Sequence, residues 1–416
     1  MRKTDPSGHV VHSGSTLTRE APPAPPQPAG RAPASSPARR AGRLLGVDLA
    51  RGLAIFGMFA VHVGPSPDNF DGLLGLLLDL PHGRSAALFA TLAGVSLVLM
   101  SGAAETPQDR REARARIAIR AVLLLLAGTG LTMLGTTLSV IIPYYGVYFL
   151  MALPLLWLRP AALAALALLA AVAGPVVTMA PMVLPAEWLD GFAAYDPINA
   201  LSGRGFIDLV LVGVFPAACW IAYVLAGMAL ARLDLASAGV RRRLGKAGAA
   251  MTVLGYGGSW LAASVFTGVQ ANVDRAAEAA RAAGEHYQVF DQGTPLERLL
   301  VASAHSNSPF EIVGNLGVVI LVLVAAIAAL EARPRLRRLA APVIAVGTIS
   351  LTAYVGHILV IHYVEPEAYL GTTLAVLVAF VAGITAFAVA WKRFFRRGPL
   401  EFLLHFSAIK LARMVR

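Results

Sequence analysis

The sequence predicts an all-α bundle of about ten transmembrane helices, and three observations lead to this fold class. The 416-residue chain is 57% hydrophobic and only 14% charged, with a mean hydropathy of +0.66. This is too apolar for an ordinary soluble domain. Apolar runs long enough to cross a hydrocarbon core of about 30 Å recur along the chain. No ten-residue alternation of polar and apolar residues recurs, so backbone hydrogen bonding in lipid requires helices.

The charges that flank the predicted spans give them an orientation. The spans cover residues 46–63, 83–102, 117–135, 141–158, 161–184, 205–231, 247–268, 309–331, 340–363 and 370–391. Lys and Arg cluster at every other connection, as in Arg241, Arg242 and Arg243 between spans six and seven. The positive-inside rule therefore places these connections and both termini in the cytoplasm, which requires an even number of spans. We expect a multi-pass protein of the plasma membrane.

Composition also predicts the domain organisation. Residues 1–40 are rich in Pro, Ala, Ser and Arg, which predicts a disordered cytoplasmic tail without a signal peptide. Residues 41–398 form the predicted bundle, and residues 399–416 form an amphipathic cytoplasmic tail on the inner leaflet. The net charge of +11 is spread over many connections, so no nucleic-acid partner is expected. Cys219 is the only cysteine, which excludes an intrachain disulfide.

Three ionisable residues, Asp48, Arg51 and His62, fall within the first span. Such residues are costly in a membrane and indicate function by default. At about 100° per residue, Arg51 and His62 share one helix face, separated by a rise of about 16 Å, with Asp48 one turn before Arg51. This polar stripe favours an inner cation for a phosphate-bearing ligand and an outer imidazole for proton transfer. The alternative is a snorkelling Arg51 and a His62 that is merely hydrogen-bonded at an interface.

Further polar side chains are predicted at the outer ends of the spans. His82 and Arg84 begin the second span, near His62. The other candidates for a pocket are Tyr144, Tyr145, Arg204, Asp208, His305, Glu311, Tyr354 and His357. For the tyrosines, an interfacial aromatic belt is the favoured explanation. No metal-ligand spacing, Walker loop, HExxH motif or GxSxG elbow occurs, so we expect neither a metal site, nor ATP-driven pumping, nor a standard hydrolase mechanism.

The stretch from Asp48 to His62 resembles the first span of heparan-alpha-glucosaminide N-acetyltransferase-like proteins and of related membrane acyltransferases. Four further segments are similar to a bacterial branch of that family: Gly83–Phe89, Phe215–Tyr223, Gly347–Tyr354 and Arg397–Glu401. The resemblance covers roughly residues 40–405. It implies transfer of an acyl group, usually acetyl, from cytoplasmic acyl-coenzyme A to a hydroxyl or amine of a glycan on the far side.

The resemblance also implies roles for individual residues. His62 falls where better studied members carry a catalytic polar residue. The glucosaminide enzymes have a catalytic histidine several residues before the glycine that matches Gly83, whereas His82 immediately precedes Gly83 here. The resulting hypothesis is a direct transfer from acetyl-CoA or another acyl-CoA, with His62 as base and His82 as its assistant. It assigns the binding of the acyl-CoA donor to Arg51, Arg84 and Asp48.

Two other function classes are left open. A transporter or exporter of a lipid or small amphiphile also explains ten spans and a polar stripe; discontinuous spans or an inverted repeat would favour it, and neither is evident in the sequence. A membrane scaffold leaves Arg51 and His62 unexplained. The expected partners are acyl-CoA, membrane lipid and an extracytoplasmic glycan or lipid-linked acceptor. Acyl length is left open, as is the choice between monomer and homodimer.

Overall fold

All regular structure in the computed structural model is helical. It describes residues 37–414 except 103, 105, 137, 267, 272–294 and 366–371. Most of the predicted disordered tail and the middle of the longest predicted outer loop lie outside the described residues. The α-helices are α1 (Pro37–Val63), α2 (Gly72–Asp79), α3 (Arg84–Ser101), α4 (Pro107–Thr132), α5 (Ile142–Ala152), α6 (Pro160–Val177), α7 (Ala186–Tyr195), α8 (Pro197–Ser202), α9 (Ala217–Ala231), α10 (Ala238–Thr252), α11 (Gly258–Val265), α12 (Pro295–Leu300), α13 (Pro309–Ala332), α14 (Pro334–Thr348), α15 (Ser350–Val364), α16 (Leu374–Phe394) and α17 (Pro399–Met414).

Six of the described helices are long and apolar enough to cross a membrane. They are Leu45–Val63 of α1, α3, α4, α6 with its 3-10 extension to Met182, α13 and α16; α14 and α15 add a seventh if they count as one span. The predicted spans 141–158 and 205–231 contain the shorter apolar helices α5 and α9. The predicted span 247–268 contains the end of α10, a π-helical turn and α11. The protein is thus a multi-pass membrane protein, while ten spans and cytoplasmic termini stay predictions.

Small residues let the central helices approach each other closely. A Cβ added to Gly94 of α3 would collide with the carbonyl oxygen of Val224 on α9, and one added to Gly227 of α9 would collide with that of Thr91 on α3. Helices in lipid associate through this kind of close backbone packing, since burying apolar side chains brings little gain there. The α3–α9 pair therefore forms the centre of the bundle, against which α1, α5, α6 and α13 pack.

The predicted span 340–363 is not continuous: α14 and α15 meet at Ile349 with a bend of 73°. A break in a membrane helix leaves backbone N–H groups without intrahelical acceptors. Here the carboxylate of Glu401 on α17 supplies those acceptors. Its Oε1 accepts from the backbone nitrogens of Leu351 (2.7 Å) and Thr352 (3.1 Å), and its Oε2 accepts from the Thr352 hydroxyl (2.6 Å). The two segments Gly347–Tyr354 and Arg397–Glu401 thus contact each other.

The close contact between α3 and α9 can be tested with one methyl group. Gly227→Ala should lower the thermal midpoint of the protein in detergent by an amount that corresponds to about 2 kcal/mol, because the backbones must separate to admit the Cβ. Gly130→Ala is the matched control: Gly130 is an exposed helical glycine with no heavy atom within 4 Å of its added Cβ. Equal midpoints for the two variants would contradict the close packing.

Candidate functional site

A cavity of about 430 Å³ surrounds Arg51, and we call it the Arg51 pocket. The Arg51 guanidinium donates to Asp48 Oδ1 (2.7 Å) and to Ser96 Oγ on α3 (2.8 Å). It is thereby turned into the bundle and does not snorkel to the membrane surface. The walls come from α1, α3, α4, α5, the bend between α14 and α15, and α17. Asp48, which the helical periodicity places one turn before Arg51, forms an ion pair with it.

Two further arginines line the Arg51 pocket, Arg120 of α4 and Arg397 just before α17. Arg120 is partly buried, and its guanidinium donates a hydrogen bond to Met100 Sδ (3.2 Å). No carboxylate among the described residues lies within ion-pair distance of Arg120 or Arg397. Sequence reasoning missed Arg120, although a charged residue inside the predicted third span is itself the signal for a functional position. The pocket therefore offers cations to an anionic ligand.

His405 of α17 lines the same pocket, and its pKa responds to the positive charges there. Burial, followed by the positive charges of Arg397, Arg120 and Arg116, lowers the pKa of His405. The one carboxylate that lines the pocket, Glu401, is already occupied by the N-terminus of α15. A negatively charged ligand would relieve this repulsion among cations.

An aromatic layer lies between the Arg51 pocket and the C-terminal end of α1. Phe89 and Tyr145 line the pocket, and their rings contact each other with centroids 5.7 Å apart. The ring of Tyr354 stacks near Phe89 (6.4 Å) and on its other side meets His357 (5.0 Å). The hydroxyl of Tyr145 is buried and has no hydrogen-bond partner in the described part of the chain. It is available to donate to a ligand in the pocket.

The interpretation of the tyrosines as an interfacial belt is wrong for three of them. Tyr144, Tyr145 and Tyr354 are at most 5% exposed, so they lie inside the bundle and not at its rim. Tyr354 accepts a hydrogen bond from the backbone nitrogen of Ile141 (3.1 Å). Sequence hydropathy alone does not separate the two cases, because an aromatic residue near a span end is compatible with both.

His62 and His357 form a pair beyond the aromatic layer. His62 Nδ1 and His357 Nε2 are 2.8 Å apart, and the two ring planes differ by only 7°. The two nitrogens share one proton, and the nitrogen that carries it determines the tautomer of each ring. When His62 carries the shared proton on Nδ1, its Nε2 holds a lone pair and can accept a proton from another group. When His357 carries it, His62 Nε2 is protonated and can only donate.

Two more candidate histidines lie close to this pair. Burial, followed by the neighbouring His82 and His62, lowers the pKa of His305 to about 4, so that its imidazole is neutral near pH 7. The His305 ring lies over Trp220 (centroids 6.0 Å apart) and edge-on to Phe215 (5.2 Å). His82 lies in the turn before α3, with Nδ1 3.3 Å from the carbonyl of Asp79. Within the described ranges, no group of three or more His, Cys, Asp or Glu side chains is placed to hold a metal ion.

The comparisons with known proteins identify the family of the chain. Residues 43–261, more than half of the chain, match the family model described as heparan-alpha-glucosaminide N-acetyltransferase, catalytic. The chain belongs to the heparan-alpha-glucosaminide N-acetyltransferase family. A second model, described as a protein of unknown function, matches residues 297–409. No curated protein matches the chain.

The site of this acetyltransferase-family protein is built from both matched segments. His62, Arg51 and Arg120 lie in the first segment, and His357 and Arg397 lie in the second. The histidine pair and the Arg51 pocket therefore each require both parts of the chain. His357, the partner of His62, therefore lies outside the segment that matches the first family model.

The remaining predicted site residues lie apart from these two features. The Arg84 guanidinium donates to Tyr256 Oη (3.0 Å) and pairs with Asp79 (3.6 Å), and Arg84 is not among the residues that line the Arg51 pocket. Tyr144 and Arg204 line a separate cavity of about 190 Å³. Asp208 begins a π-helical turn next to it. Their predicted roles in donor or substrate binding stay predictions.

Glu311 holds the loop that carries His305. Its Oε1 accepts from the backbone nitrogen of His305 (2.8 Å), and its Oε2 accepts from that of Asn307 (2.6 Å) and from the Ser306 hydroxyl (3.2 Å). His305 and Asn307 both have positive φ, 62° and 53°. Such conformations cost roughly 1–3 kcal/mol each and persist only when neighbouring groups enforce them. The Glu311 carboxylate enforces them here.

Removing the Glu311 charge should loosen this loop specifically. In Glu311→Gln the neutral amide cannot accept both backbone hydrogen bonds at full strength, a loss of about 2 kcal/mol that corresponds to roughly 30-fold faster hydrogen exchange at the amides of His305 and Asn307. Glu331→Gln is the control on the same helix, because Glu331 pairs with Arg241 at the other end of α13. Unchanged exchange in Glu311→Gln would contradict the assigned role.

Proposed function

We propose that the protein transfers an acyl group, in the first place acetyl, from acyl-CoA to an acceptor hydroxyl or amine. The observation that carries the proposal is the placement of three arginines around the Arg51 pocket at the middle of α1, and of the His62–His357 pair at the C-terminal end of that helix. Membership of an N-acetyltransferase family supports this class of reaction. The family name points to a glucosamine-containing glycan as one class of acceptor.

The Arg51 pocket is suited to the phosphate-bearing end of coenzyme A. Arg51, Arg120 and Arg397 provide planar guanidinium groups, which bind phosphate oxygens in a bidentate manner. The aromatic rings and apolar side chains that continue the cavity towards Tyr145 suit the less polar arm that bears the thioester. In this arrangement the thioester reaches the aromatic layer, where the Tyr145 hydroxyl donates to its carbonyl oxygen.

The histidine pair supplies the proton transfer. With the shared proton on its Nδ1, His62 accepts the acceptor's proton on Nε2 while the acceptor oxygen or nitrogen attacks the thioester carbon. The tetrahedral intermediate then collapses, the C–S bond breaks, and the coenzyme A thiolate leaves with the electron pair of that bond. The proton on His62 Nε2 neutralises the thiolate, which restores the neutral pair. His357 holds the imidazole of His62 in orientation through Nε2.

One observation favours the alternative of transport. The break between α14 and α15 is a discontinuous span, the feature that membrane transporters use to bind substrates at half-helix ends. However, the N-terminus of α15 is already occupied by Glu401 of the chain itself. The half-helix end is therefore filled by a structural carboxylate, and we rank acyl transfer above transport.

Binding and chemistry can be separated by two variants. Acetyl-CoA should raise the thermal midpoint of the purified protein, since a ligand of the folded state stabilises it. Arg120→Met should weaken this binding about 10- to 100-fold through the lost contact with phosphate. His62→Ala should keep the stabilisation but lose acceptor-dependent release of coenzyme A thiol by about 100-fold or more.

Arg242→Met is the control for Arg120→Met, because Arg242 is an exposed arginine of α10 outside the Arg51 pocket. Full coenzyme A release by His62→Ala would contradict the assignment of the base. A lack of stabilisation by acetyl-CoA and by longer acyl-CoAs would contradict acyl transfer and favour transport.

The affinity for acetyl-CoA should depend on pH through His405. An anion in the Arg51 pocket raises the pKa of His405 from its lowered value, so binding takes up a proton. The affinity therefore increases as the pH falls through the pKa of His405 in the complex, and it levels off below the pKa of the free protein. Calorimetric titrations between pH 5 and pH 8 should show this increase in affinity in the parent protein and not in His405→Gln. Identical pH profiles would exclude His405 from the donor site.

A further inference from the structure

A second, almost entirely apolar cavity lies between α15 and α16, and we call it the lateral groove. Its volume is about 500 Å³. Its walls include Thr352, Gly356, His357 and Val360 of α15, and Phe380, Gly383 and Phe387 of α16, with Phe59 of α1 at its inner end. Val360 is 43% exposed and Phe387 is 38% exposed, so the groove opens on the outer surface of the bundle. In a membrane that surface faces lipid.

The bend at Ile349 explains why this space exists. The helix α16 packs against α14 and α1, while α15 turns away from α14 by 73°. Two glycines widen the gap further, one from each wall. An added Cβ at Gly356 or at Gly383 has no heavy atom within 4 Å. The groove thus results from the course of the helices, and larger side chains would enter it without displacing the surrounding structure.

Among the described residues that line the groove, one has a titratable side chain, His357. This residue is only 3% exposed, and its Nδ1 has no hydrogen-bond partner in the part of the chain that the structure describes. Its Nε2 is bound to His62, the proposed base. The imidazole of His357 therefore lies between a molecule in the groove and the proposed base, His62.

We propose that the lateral groove holds the hydrocarbon tail of a lipid whose polar head group is the acyl acceptor. The inference rests on the acyl transfer proposed above and names the acceptor class for the same site. A lipid tail can enter sideways from the bilayer between α15 and α16. Its head group then lies at the end of the groove where α15 meets His62.

The acyl chain of the donor is a poorer occupant of the groove. The donor pocket is lined by Ser350 and Leu351, whereas the groove is lined by residues from Thr352 onwards. The layer of Phe89, Tyr145 and Tyr354 lies between the Arg51 pocket and His357. A donor chain whose thioester lies at this layer would have to extend past the histidine pair to reach the groove, whereas a lipid tail enters the groove directly from the bilayer.

The groove should act by positioning rather than by affinity. Moving a tail from bilayer to groove exchanges one apolar environment for another and gains little free energy. Holding the head group beside the base, however, converts an encounter in the membrane into an oriented reaction. Gly356→Leu or Gly383→Leu should therefore reduce transfer to lipid without changing the binding of acetyl-CoA.

Photolabelling in vesicles tests whether a tail enters the groove. The protein is reconstituted in phosphatidylcholine vesicles that contain a phosphatidylcholine with a diazirine in its acyl tail, then irradiated and mapped by mass spectrometry. Phe59 and His357 line the groove and are at most 3% exposed, whereas Leu126 on α4 is 60% exposed and reports surrounding lipid. We expect labels at all three residues in the parent protein, and at least fivefold less at Phe59 and His357 in Gly356→Leu and Gly383→Leu.

Gly130→Leu is the control, since it adds the same side chain at an exposed helical glycine outside the groove. It should leave the labels at Phe59 and His357 unchanged, and acetyl-CoA should stabilise all three variants equally. In vesicles made from membranes in which the parent protein turns over acetyl-CoA, the radiolabelled acetyl group should appear in the organic-extractable lipid. The amount of label in this lipid should be at least tenfold lower with Gly383→Leu.

Three results would overturn the proposal. The first is labelling at Leu126 but not at Phe59 or His357, which would show that lipid surrounds the protein without entering the groove. The second is stronger labelling of these two residues by a long-chain acyl-CoA with a diazirine, which would assign the groove to the donor. The third is transfer of acetyl to water-soluble acceptors alone. Failure of acetyl-CoA to stabilise any variant would instead overturn the function proposed above, and with it the acceptor role.

Discussion

The carboxylate of Glu401 allows a transmembrane helix to break where the site requires it. An interrupted helix in lipid exposes backbone N–H groups that cost several kcal/mol each when they have no acceptor. Glu401 accepts from Leu351, from Thr352 and from the Thr352 hydroxyl, and the same hydroxyl accepts from the backbone nitrogen of Leu400. A residue about 50 positions away in sequence thus supplies the cap that a continuous helix would not need. The bend of 73° persists because of this cap.

Three features meet at the bend. The residues around Thr348 and Leu351 form one wall of the Arg51 pocket. One to two turns further on, α15 presents His357 to His62. Because α16 stays with α14 and does not follow α15, the lateral groove opens on the opposite side of His357. The Arg51 pocket, the proposed base and the proposed acceptor groove are therefore arranged by one local change of direction.

The sequence predicts the relative positions of those candidate site residues that lie on one helix. Asp48, Arg51 and His62 follow from the phase of α1, because helical periodicity fixes their relative directions. The pairing of His62 with His357 joins residues 295 positions apart, and no periodicity encodes such a contact. The break at Ile349 was missed for the same reason: its cap comes from α17, and no proline or glycine marks residue 349 itself. Arg120 could have been predicted, because it is a cation inside the apolar run of the predicted third span.

The first helix fixes the distance over which the proposed chemistry extends. Arg51 and His62 are separated by a rise of about 16 Å along α1, and Ile55, Met58 and Phe59 between them are buried in the core. A ligand that contacts both residues must carry its charge and its reactive carbon at the two ends of a long arm, as acyl-coenzyme A does. An added residue in this stretch would rotate His62 by about 100° and so remove it from His357, whereas the length would change by only about 1.5 Å. Direction is therefore a stricter constraint on this helix than length, because the pairing with His357 requires the ring of His62 to face α15.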